Sequence, residues 1–563
     1  MKKWGVFVTW HELTGDRPTN ELLRSRLSRY ALQPVLLGLA RISAQLETWQ
    51  KRENPDGELE AVRQMLPRYY PAIKQLCAAT GDRIVLSRIT ILYVAKQALI
   101  SCPLVGIDID TAWDDEQVMS CCLMANDLLL GRTPSSTDTI IDKAVSLLPF
   151  NNYLPDPDDA FEMPRNLLLI NDIAPKLADR SDYRNLTQEF QAATKLSPQQ
   201  FCESAYCVAA KFITNLAEQN NPAGLVLTAD YFRHTKIPEA LAEFVTQYTI
   251  SLSDLQQLAR KKPSLDDDFL IFQNHPLIEF LPGHHMCIDP GFLVDKAGKS
   301  FYWTLHAGTD PKKQLHLLGY WAAVVEKYLQ WLAEQTYLGG GSLASNPRFP
   351  NNDEACDLMI KEGSRLVLIE IKASVLTTKA KYSFDANLLQ EELLRKAIHG
   401  EDGERKGIAQ LSHNIQRFYD GEPINGITCG QISTIYPMIV FLDKSFTSPY
   451  LGPLYKQHFD RARFKRKPLT TPPYAITVSD FESVLTRTHK HKLTDIIEDY
   501  YRHNRTNDGT VAFGRFAYSN VPLLKETPPG IDIVRKRFSQ FHDELIANVF
   551  PPPAPSNVDP TTP

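Results

Sequence analysis

The segment DLMIKEGSRLVLIEIKAS, which begins at Asp357, constrains the fold of this chain more than any other part of it. Two apolar runs flank Gly363 and Ser364, and this pattern predicts two strands joined by a tight turn. A hairpin centred on that turn places Asp357 opposite Glu370, with their Cβ atoms about 5 Å apart. Lys372 follows Glu370 by two residues, so both side chains project from one face of the second strand. Two acids and one lysine are therefore predicted to converge at one end of an apolar hairpin.

Charged side chains in such a place need a partner, because charged groups are rarely buried alone in apolar strands. A hard divalent cation is one such partner, since Mg²⁺ prefers one or two carboxylates together with water and phosphate oxygens. A bound metal ion can polarise a phosphodiester and lower the pKa of a water molecule. The pattern therefore predicts that Asp357 and Glu370 bind Mg²⁺ or Mn²⁺. The alternative is an ion pair at the exposed end of a strand, which would contribute little stability.

The run CDLMI followed by IEIKAS resembles the active-site pattern of the PD-(D/E)XK nucleases, a restriction-endonuclease-like superfamily. Its members carry an acid at the start of one strand and (D/E)-x-K on the next, within an αβββαβ core. The predicted neighbours of the hairpin fit that order: a helix over 315–337, helices over 386–398 and 407–419, and then a strand over 436–442. The resemblance implies an enzyme that hydrolyses phosphodiester bonds with the help of a divalent cation.

The same resemblance implies a role for each residue at this end of the hairpin. Asp357 and Glu370 would be metal ligands, the Ile371 carbonyl would be a third ligand, and Lys372 would be the catalytic lysine. The lysine would orient the attacking water or offset negative charge on the phosphate. Cys356 stands where many members have a proline, and this is a departure from the pattern.

Two residues on neighbouring helices are further candidates for the site. Glu326 lies in the apolar helix WAAVVEKYLQWL, where many members of the superfamily place a glutamate near the metal; the alternative is a charge that faces solvent. Gln410 lies in KGIAQLSHNIQRF, and some members use a glutamine in this helix. The buried stripe predicted for this helix leaves Gln410 on another face, together with Asn414 and Arg417. The stripe consists of Ile408, Leu411, Ile415 and Phe418.

Basic residues near the predicted site are candidates for contacts with nucleic acid. The net charge is −5, so such contacts need a local basic surface. Lys379 and Lys381 follow the hairpin, and the run YKQHFDRARFKRKP combines basic with aromatic side chains, which suits phosphate contact and stacking on bases. The alternative for both groups is a plain solvated surface. The candidates within the run are Arg461, Arg463, Lys465, Arg466 and Lys467.

The chain divides by pattern into four parts, which together predict an α+β or α/β protein. Residues 1–270 show helical periodicity and no convergent set of titratable groups, which predicts a helical domain that senses or binds a protein partner or trigger. Residues 271–314 are predicted to form an extended connector, and residues 315–548 a nuclease domain with C-terminal additions. Residues 549–563 are predicted to be a disordered tail, because the run PPPAPSNVDPTTP that ends it lacks apolar content.

These features predict a Mg²⁺-dependent endonuclease that cleaves DNA, with 5′-phosphate and 3′-hydroxyl products implied by the resemblance. The alternatives are an RNA- or tRNA-cleaving nuclease of the same fold and a non-catalytic nucleic-acid-binding scaffold. A large helical domain beside such a nuclease resembles the plan of bacterial anti-phage or restriction effectors, an analogy of architecture. Nine cysteines without a C-x-x-C pair, and no apolar stretch long enough to span a membrane, predict a cytoplasmic protein.

Overall fold

The structure of the protein is a computed structural model. It shows a mixed α+β chain in which helices predominate and two of the sheets combine parallel and antiparallel strands. The described residues are 6–51, 55–80, 83–104, 115–130, 139–153, 162–214, 222–233, 235–261, 268–337, 340–400, 405–448, 450–459, 468–485, 487–488, 491–505, 513, 516, 520–521 and 529–549.

Helices account for most of the described residues before position 270, as the periodicity of the sequence predicts. The α-helices are α1 Trp10–Thr14, α2 Asn20–Leu27, α3 Leu32–Lys51, α4 Pro55–Met65, α5 Tyr70–Thr80, α6 Arg88–Ser101, α7 Asp115–Leu130, α8 Ile140–Tyr153, α9 Glu162–Leu168, α10 Leu186–Thr194, α11 Pro198–Thr214, α12 Ala229–Arg233, α13 Pro238–Tyr248, α14 Leu252–Lys261, α15 Leu270–Asn274, α16 Gly291–Ala297, α17 Phe301–Ala307, α18 Gln314–Thr336, α19 Thr378–Tyr382, α20 Ala386–Leu393, α21 Gly407–Tyr419, α22 Leu451–His458, α23 Val478–Leu485, α24 Leu493–Arg505 and α25 Pro529–Val549. The strands are β1 Val6–Phe7, β2 Arg83–Ile84, β3 Leu227–Thr228, β4 Thr249–Ser251, β5 Leu277–Leu281, β6 His284–Cys287, β7 Ser342–Ser345, β8 Leu358–Glu362, β9 Arg365–Lys372, β10 Thr434–Phe441, β11 Leu469–Thr470 and β12 Tyr474–Thr477.

The chain folds into two compact units, each built from segments that are distant in sequence. One unit contains residues 129–185 and 310–535, and we call it the hairpin unit because β8 and β9 belong to it. The other contains residues 2–128, 186–309 and 536–563, and we call it the helical unit. This division departs from the predicted boundary between an N-terminal half and a nuclease domain, because the first half of the chain contributes a segment to the hairpin unit.

A buried ion pair explains in part why residues 129–185 belong to the hairpin unit. Arg165 in α9 lies 2.8 Å from the carboxylate of Glu482 in α23. The hydroxyl of Tyr328 in α18 donates to the same carboxylate at 2.6 Å. A buried arginine without such partners would be strongly destabilising. Because the pair joins residues 317 positions apart, local periodicity carries no sign of it.

A six-stranded mixed sheet forms the centre of the hairpin unit, in the order β7-β8-β9-β10-β11, with β12 also paired to β10. Strands β7, β8 and β9 are antiparallel neighbours. Strand β10 is parallel to β9 along its whole length, from Thr434 opposite Arg365 to Phe441 opposite Lys372. Helix α21 lies in the crossover between β9 and β10 that a parallel pair requires. The predicted succession of helix, hairpin, helix and strand is therefore present.

The turn of the β8–β9 hairpin lies where the sequence predicts it. Glu362 pairs with Arg365, so two residues form the turn, and Gly363 at the first of them has a φ of 64°. A residue without a Cβ atom adopts this left-handed conformation at little cost. A two-residue turn sets the register of the whole hairpin, and Leu358 pairs with Ile369 at its far end. The predicted register is confirmed.

The predicted helices beside the hairpin also agree with the structure. Helix α18 matches the prediction over 315–337 to within one residue at each end, and α21 matches the prediction over 407–419. The helix predicted over 386–398 is α20, which continues as a π-helical turn over Leu394–Ile398. The predicted apolar stripe of α21 is completely buried in the core of the hairpin unit. Its members are Ile408, Leu411, Ile415 and Phe418.

The prediction of an extended connector over residues 271–314 is wrong. This stretch contains strands β5 and β6 together with α16 and α17, and most of it belongs to the helical unit. The aromatic run at Phe301 is helical, since the Phe301 ring stacks on Phe190 with centroids 4.4 Å apart and Leu305 is buried one turn later. A short aromatic run fits a strand or a buried helix equally well, and tertiary packing decides between them.

The last described residue is Val549 at the end of α25, so the disordered tail predicted over 549–563 lies outside the described residues apart from that first position. No helix in the described ranges combines the length and the apolar character that crossing a membrane requires.

Candidate active site

The end of the β8–β9 hairpin opposite its turn, which we call the open end, brings together the three residues that the sequence pattern singles out. Asp357 immediately precedes β8, and its Oδ2 atom accepts a hydrogen bond from the backbone N–H of Ile371 at 2.5 Å. The Lys372 ammonium lies 2.5 Å from Oε1 of Glu370. Two acids and one lysine therefore meet at this end, as the hairpin register requires.

Glu370 has an unsatisfied carboxylate oxygen at the centre of this cluster. Its side chain is 1% exposed, whereas that of Lys372 is 21% exposed. Oε1 of Glu370 accepts the hydrogen bond from Lys372, but the buried Oε2 has no hydrogen-bond partner among the described residues. Buried polar atoms nearly always have a partner, and an exception calls for an explanation. A bound cation or a proton would provide one.

Burial and mutual repulsion raise the pKa values of the two acids. Burial, and then the Asp357 carboxylate, raise the pKa of Glu370 to about 8 against the opposing effect of Lys372. Burial also raises the pKa of Asp357, which Lys372 and the Ile371 N–H oppose. Burial lowers the pKa of Lys372, but the Glu370 and Asp357 carboxylates outweigh it and the net shift is upward. One lysine does not neutralise this cluster, and added positive charge would stabilise the ionised acids.

The Ile371 carbonyl faces the same side of the hairpin as Asp357. In a strand, the N–H and C=O of one residue point to the same side, and the Ile371 N–H points to Asp357. The next carbonyl, that of Lys372, points the other way and accepts the N–H of Leu442 at 3.0 Å. The backbone therefore directs a carbonyl oxygen toward the carboxylates, as the resemblance implies.

Glu326 reaches the same cluster from α18. Burial, followed by the charges of Asp357 and Glu354, raises its pKa to about 7. Gln330, one turn further along the helix, donates to Oε1 of Glu326 at 3.0 Å and to the backbone carbonyl of Asp357 at 3.3 Å. The amide of Gln330 therefore ties the helix to the open end. The structure places Glu326 beside the site, and local sequence patterns did not single out Gln330.

Glu354 is a further acid of the site that periodicity does not predict. Its carboxyl group is hydrogen-bonded to that of Asp357, and burial and the Asp357 charge raise its pKa. Its backbone forms an isolated bridge with Arg348, so it lies in a loop that approaches the hairpin. Strand and helix periodicities do not apply to such a loop. The only signal in the sequence is the position of Glu354 three residues before Asp357 in the run NNDEACD.

Helix α21 supports this loop through residues other than the predicted one. Asn414, which is not a member of the predicted apolar stripe, is nevertheless buried and donates to the Ala355 carbonyl at 2.9 Å. Arg417 forms an ion pair with Asp353 at 3.0 Å. The side chain of Gln410 is half-buried and forms no hydrogen bond with another described residue. The helix therefore positions the approach to Asp357, while a role for Gln410 stays a prediction.

The residues predicted to contact nucleic acid differ in their surroundings. Lys381 forms an ion pair with the buried Asp443 at 2.8 Å, and this pair holds the pKa of Asp443 down although burial opposes it. Its ammonium therefore stabilises the fold, which argues against the predicted contact. Lys379 is exposed, and its contact with nucleic acid stays a prediction. The remaining candidates lie outside the described residues: Arg461, Arg463, Lys465, Arg466 and Lys467.

Within the described ranges, no group of three or more His, Cys, Asp and Glu side chains has the arrangement of a metal site. The ligands that the resemblance implies are the Asp357 and Glu370 carboxylates and the Ile371 carbonyl, so two of the three are side chains of these types. The donor set fits Mg²⁺ or Mn²⁺, because these ions take oxygen ligands and retain several waters. Comparison with known proteins finds no matching family model, no similar curated protein and no similar solved structure.

Proposed function

We propose that the protein is a Mg²⁺- or Mn²⁺-dependent nuclease of the PD-(D/E)XK type that hydrolyses phosphodiester bonds of DNA. The observation that carries the proposal is the Glu370 carboxylate, which is buried with one oxygen on Lys372 and the other without a partner. Asp357 and the Ile371 carbonyl approach it from the adjacent strand end and from its own strand. Two acids and a carbonyl as metal ligands, together with one lysine, are the groups that the (D/E)-x-K pattern requires.

The alternative of a purely structural ion pair explains the geometry less well. A buried ion pair is stabilising only if further hydrogen bonds satisfy its remaining polar atoms. Among the residues that the structure describes, one oxygen of Glu370 has no hydrogen-bond donor. Two more acids, Glu326 and Glu354, lie close enough to Asp357 for its charge to raise their pKa values. This arrangement destabilises the metal-free protein. A cation that binds the ionised acids would remove their mutual repulsion, so a role in metal binding explains why the protein retains a destabilising cluster of acids.

The order of elements also supports the proposal. Helix α18 precedes β7, β8 and β9, and α21 then leads to β10, which is parallel to β9. This order is compatible with the αβββαβ core that the resemblance implies, with the acid before the second strand and the Glu-x-Lys triplet in the third. The loop that carries Glu354 and the middle of helix α18, which carries Glu326, both approach Asp357.

The residues of the site have distinct chemical tasks in the proposed reaction. Asp357 and Glu370 would hold the cation together with the Ile371 carbonyl. When bound, Mg²⁺ activates a water molecule and neutralises charge on the phosphate. Lys372, anchored by Glu370, orients the water whose oxygen forms the new bond to phosphorus. The bond from phosphorus to the 3′ oxygen breaks, which leaves a 5′-phosphate and a 3′-hydroxyl.

Cleavage of a supercoiled plasmid tests this proposal directly. We expect the purified protein to nick the plasmid with Mg²⁺ or Mn²⁺, to be inactive with EDTA, and to be inactive as Asp357→Asn with either metal. Labelled RNA forms a parallel assay, and cleavage of RNA alone would overturn the assignment to DNA. Failure to cleave either substrate with either metal would contradict the nuclease proposal and favour the non-catalytic scaffold. The sensor role of residues 1–270 and a role in anti-phage defence stay predictions from the sequence.

A further inference from the structure

A segment from the first half of the chain lies along α18 within the hairpin unit. We call residues 174–184 the rim segment. The hydroxyl of Tyr320 in α18 donates to the Ala174 carbonyl at 3.1 Å, and the Tyr320 ring meets that of Tyr183 edge-on at 6.1 Å. Arg184 donates to the Lys313 carbonyl at 3.1 Å, just before the helix begins. These contacts attach the rim segment to the helix that carries Glu326.

Arg180 is the residue of the rim segment that the electrostatics connect with the candidate active site. The hydrogen bonds that Arg180 donates to its partner Asp182 are the main cause that raises its pKa, and the Glu326 carboxylate adds to that shift. Glu326 in turn responds to Asp357 and Lys372. The rim segment contacts α18 on both sides of Glu326, through Ala174 at Tyr320 and through Lys176 at Trp331, so Arg180 lies on the α18 side of the cluster.

The present partner of Arg180 is easily replaced. Its guanidinium forms two parallel hydrogen bonds with Asp182, at 2.8 and 3.0 Å. Both side chains are nearly half exposed, at 46% and 45%, so the pair contributes little to stability. The planar fork of an arginine fits a phosphate as well as a carboxylate, and two parallel bonds form in either case. An exposed fork that already holds two oxygens is arranged to receive a phosphate.

We propose that Arg180 binds a backbone phosphate of DNA at the α18 side of the active site, where it exchanges Asp182 for the phosphate. This inference rests on the proposed nuclease function and names a substrate-binding residue for it. Lys176 also favours phosphate binding at the rim segment, because it is exposed and adds positive charge there. Its ammonium lies 5.6 Å from the ring of Trp331 in α18. The local charge is not uniformly basic, so Arg180 acts as one specific contact.

Binding measurements in an inactive protein separate this inference from cleavage. Fluorescein-labelled duplex DNA is titrated with Lys372→Ala protein in Mg²⁺, alone and combined with each rim variant. We expect Arg180→Ala to weaken binding about tenfold and to reduce the slope of log K against log salt by about one. Asp182→Asn should strengthen binding, because it frees the guanidinium and removes a negative charge that repels phosphate.

The helical unit supplies a matched control. Arg233 pairs with Asp230 at 2.9 Å, and both are well exposed, so Arg233→Ala removes a similar surface pair. We expect this variant to bind DNA like its parent. Equal effects of Arg180→Ala and Arg233→Ala would contradict the inference, as would weaker binding by Asp182→Asn.

The outcomes also separate this inference from the proposed function. A wild-type protein that cleaves DNA while Arg180→Ala leaves affinity and salt slope unchanged would overturn the phosphate contact alone. A wild-type protein that never cleaves, yet loses DNA affinity on Arg180→Ala, would overturn the nuclease and retain the contact. An effect of Arg180→Ala on RNA with none on DNA would overturn the choice of DNA.

Discussion

The two ends of the β8–β9 hairpin each bury a glutamate, and the molecule treats the two residues in opposite ways. At the turn end, Glu362 is 2% exposed and accepts four hydrogen bonds. The Tyr337 hydroxyl donates at 2.6 Å, the Leu493 N–H at 3.0 Å, and the Thr494 N–H and hydroxyl at 2.9 and 2.7 Å. The N-terminus of α24 therefore rests on a carboxylate whose oxygens are both satisfied.

At the open end, Glu370 has one donor, Lys372, and an oxygen for which the described part of the chain offers no partner. Burial alone does not distinguish the proposed metal ligand from a structural acid, because Glu362 is buried to the same degree as Glu370. The number of hydrogen-bond donors distinguishes the two residues. The protein supplies donors to both oxygens of a structural carboxylate, while a carboxylate that binds a ligand retains an oxygen free to accept.

The largest effect expected at the open end concerns Lys372. Lys372→Ala should slow single-turnover cleavage of DNA by about 10²–10³, or roughly 3–4 kcal/mol of barrier, because it removes a positive charge that acts mainly in the transition state. DNA affinity should change little, since many phosphate contacts share that task. Lys372→Arg should not restore activity, because a planar fork cannot replace a compact ammonium. Cleavage by Lys372→Ala at the wild-type rate would contradict the assignment of the hairpin.

The next effect uses the same substitution at both ends. Glu370→Gln should weaken Mn²⁺ binding by about 100-fold, because a neutral amide replaces an anionic ligand. Glu362→Gln should bind Mn²⁺ as the wild type does, since its carboxylate already serves four donors. Isothermal titration calorimetry of the three proteins tests the contrast. Equal Mn²⁺ affinities for the wild type and Glu370→Gln would show that the open end is not a metal site.

Stability should respond in the reverse sense. Glu362→Gln should lower the free energy of unfolding by about 2–3 kcal/mol, because an amide N–H₂ then faces donors that lose their acceptor. Glu370→Gln should instead raise the free energy of unfolding of the metal-free protein at neutral pH, because the amide resembles the protonated acid and folding no longer requires the uptake of a proton. Urea unfolding without metal measures both values. A greater loss for Glu370→Gln than for Glu362→Gln would reverse the comparison.

The smallest effect for a single change of conditions is the dependence on pH, which is about tenfold in Mn²⁺ affinity for each pH unit. The pKa of Glu370 is raised to about 8, so the folded, metal-free protein retains a proton that the unfolded chain releases near pH 4.5. Stability of the metal-free protein should therefore fall as pH rises from about 4.5 to about 8. Metal binding needs the ionised acid, so Mn²⁺ affinity should rise about tenfold per pH unit up to about pH 8 and then level off. Affinity that is constant between pH 6 and 8 would contradict this assignment.

Features set by a short span of sequence could be predicted, and features set by distant contacts could not. The hairpin register follows from a two-residue turn at Gly363, and Glu326 follows from a helix whose other faces are apolar. Asn414 illustrates a limit of helical periodicity, because a buried amide that holds a backbone carbonyl resembles a solvent-facing one in sequence. Glu354 lies in a loop, where no periodicity applies. The partnership of Arg165 with Glu482 depends on the fold as a whole.

The interleaved composition of the two units has a consequence for synthesis. The ribosome releases residues 129–185 long before residues 310–535, and the hairpin unit needs both. The first segment must therefore wait, with apolar side chains such as Val145 and Leu148 unburied, while the intervening residues 186–309 emerge. Folding from the N-terminus onward cannot complete the site early. Chains whose synthesis is incomplete therefore cannot contain a complete hairpin unit, and a truncated protein that starts at Asp310 would lack the part of that unit formed by residues 129–185.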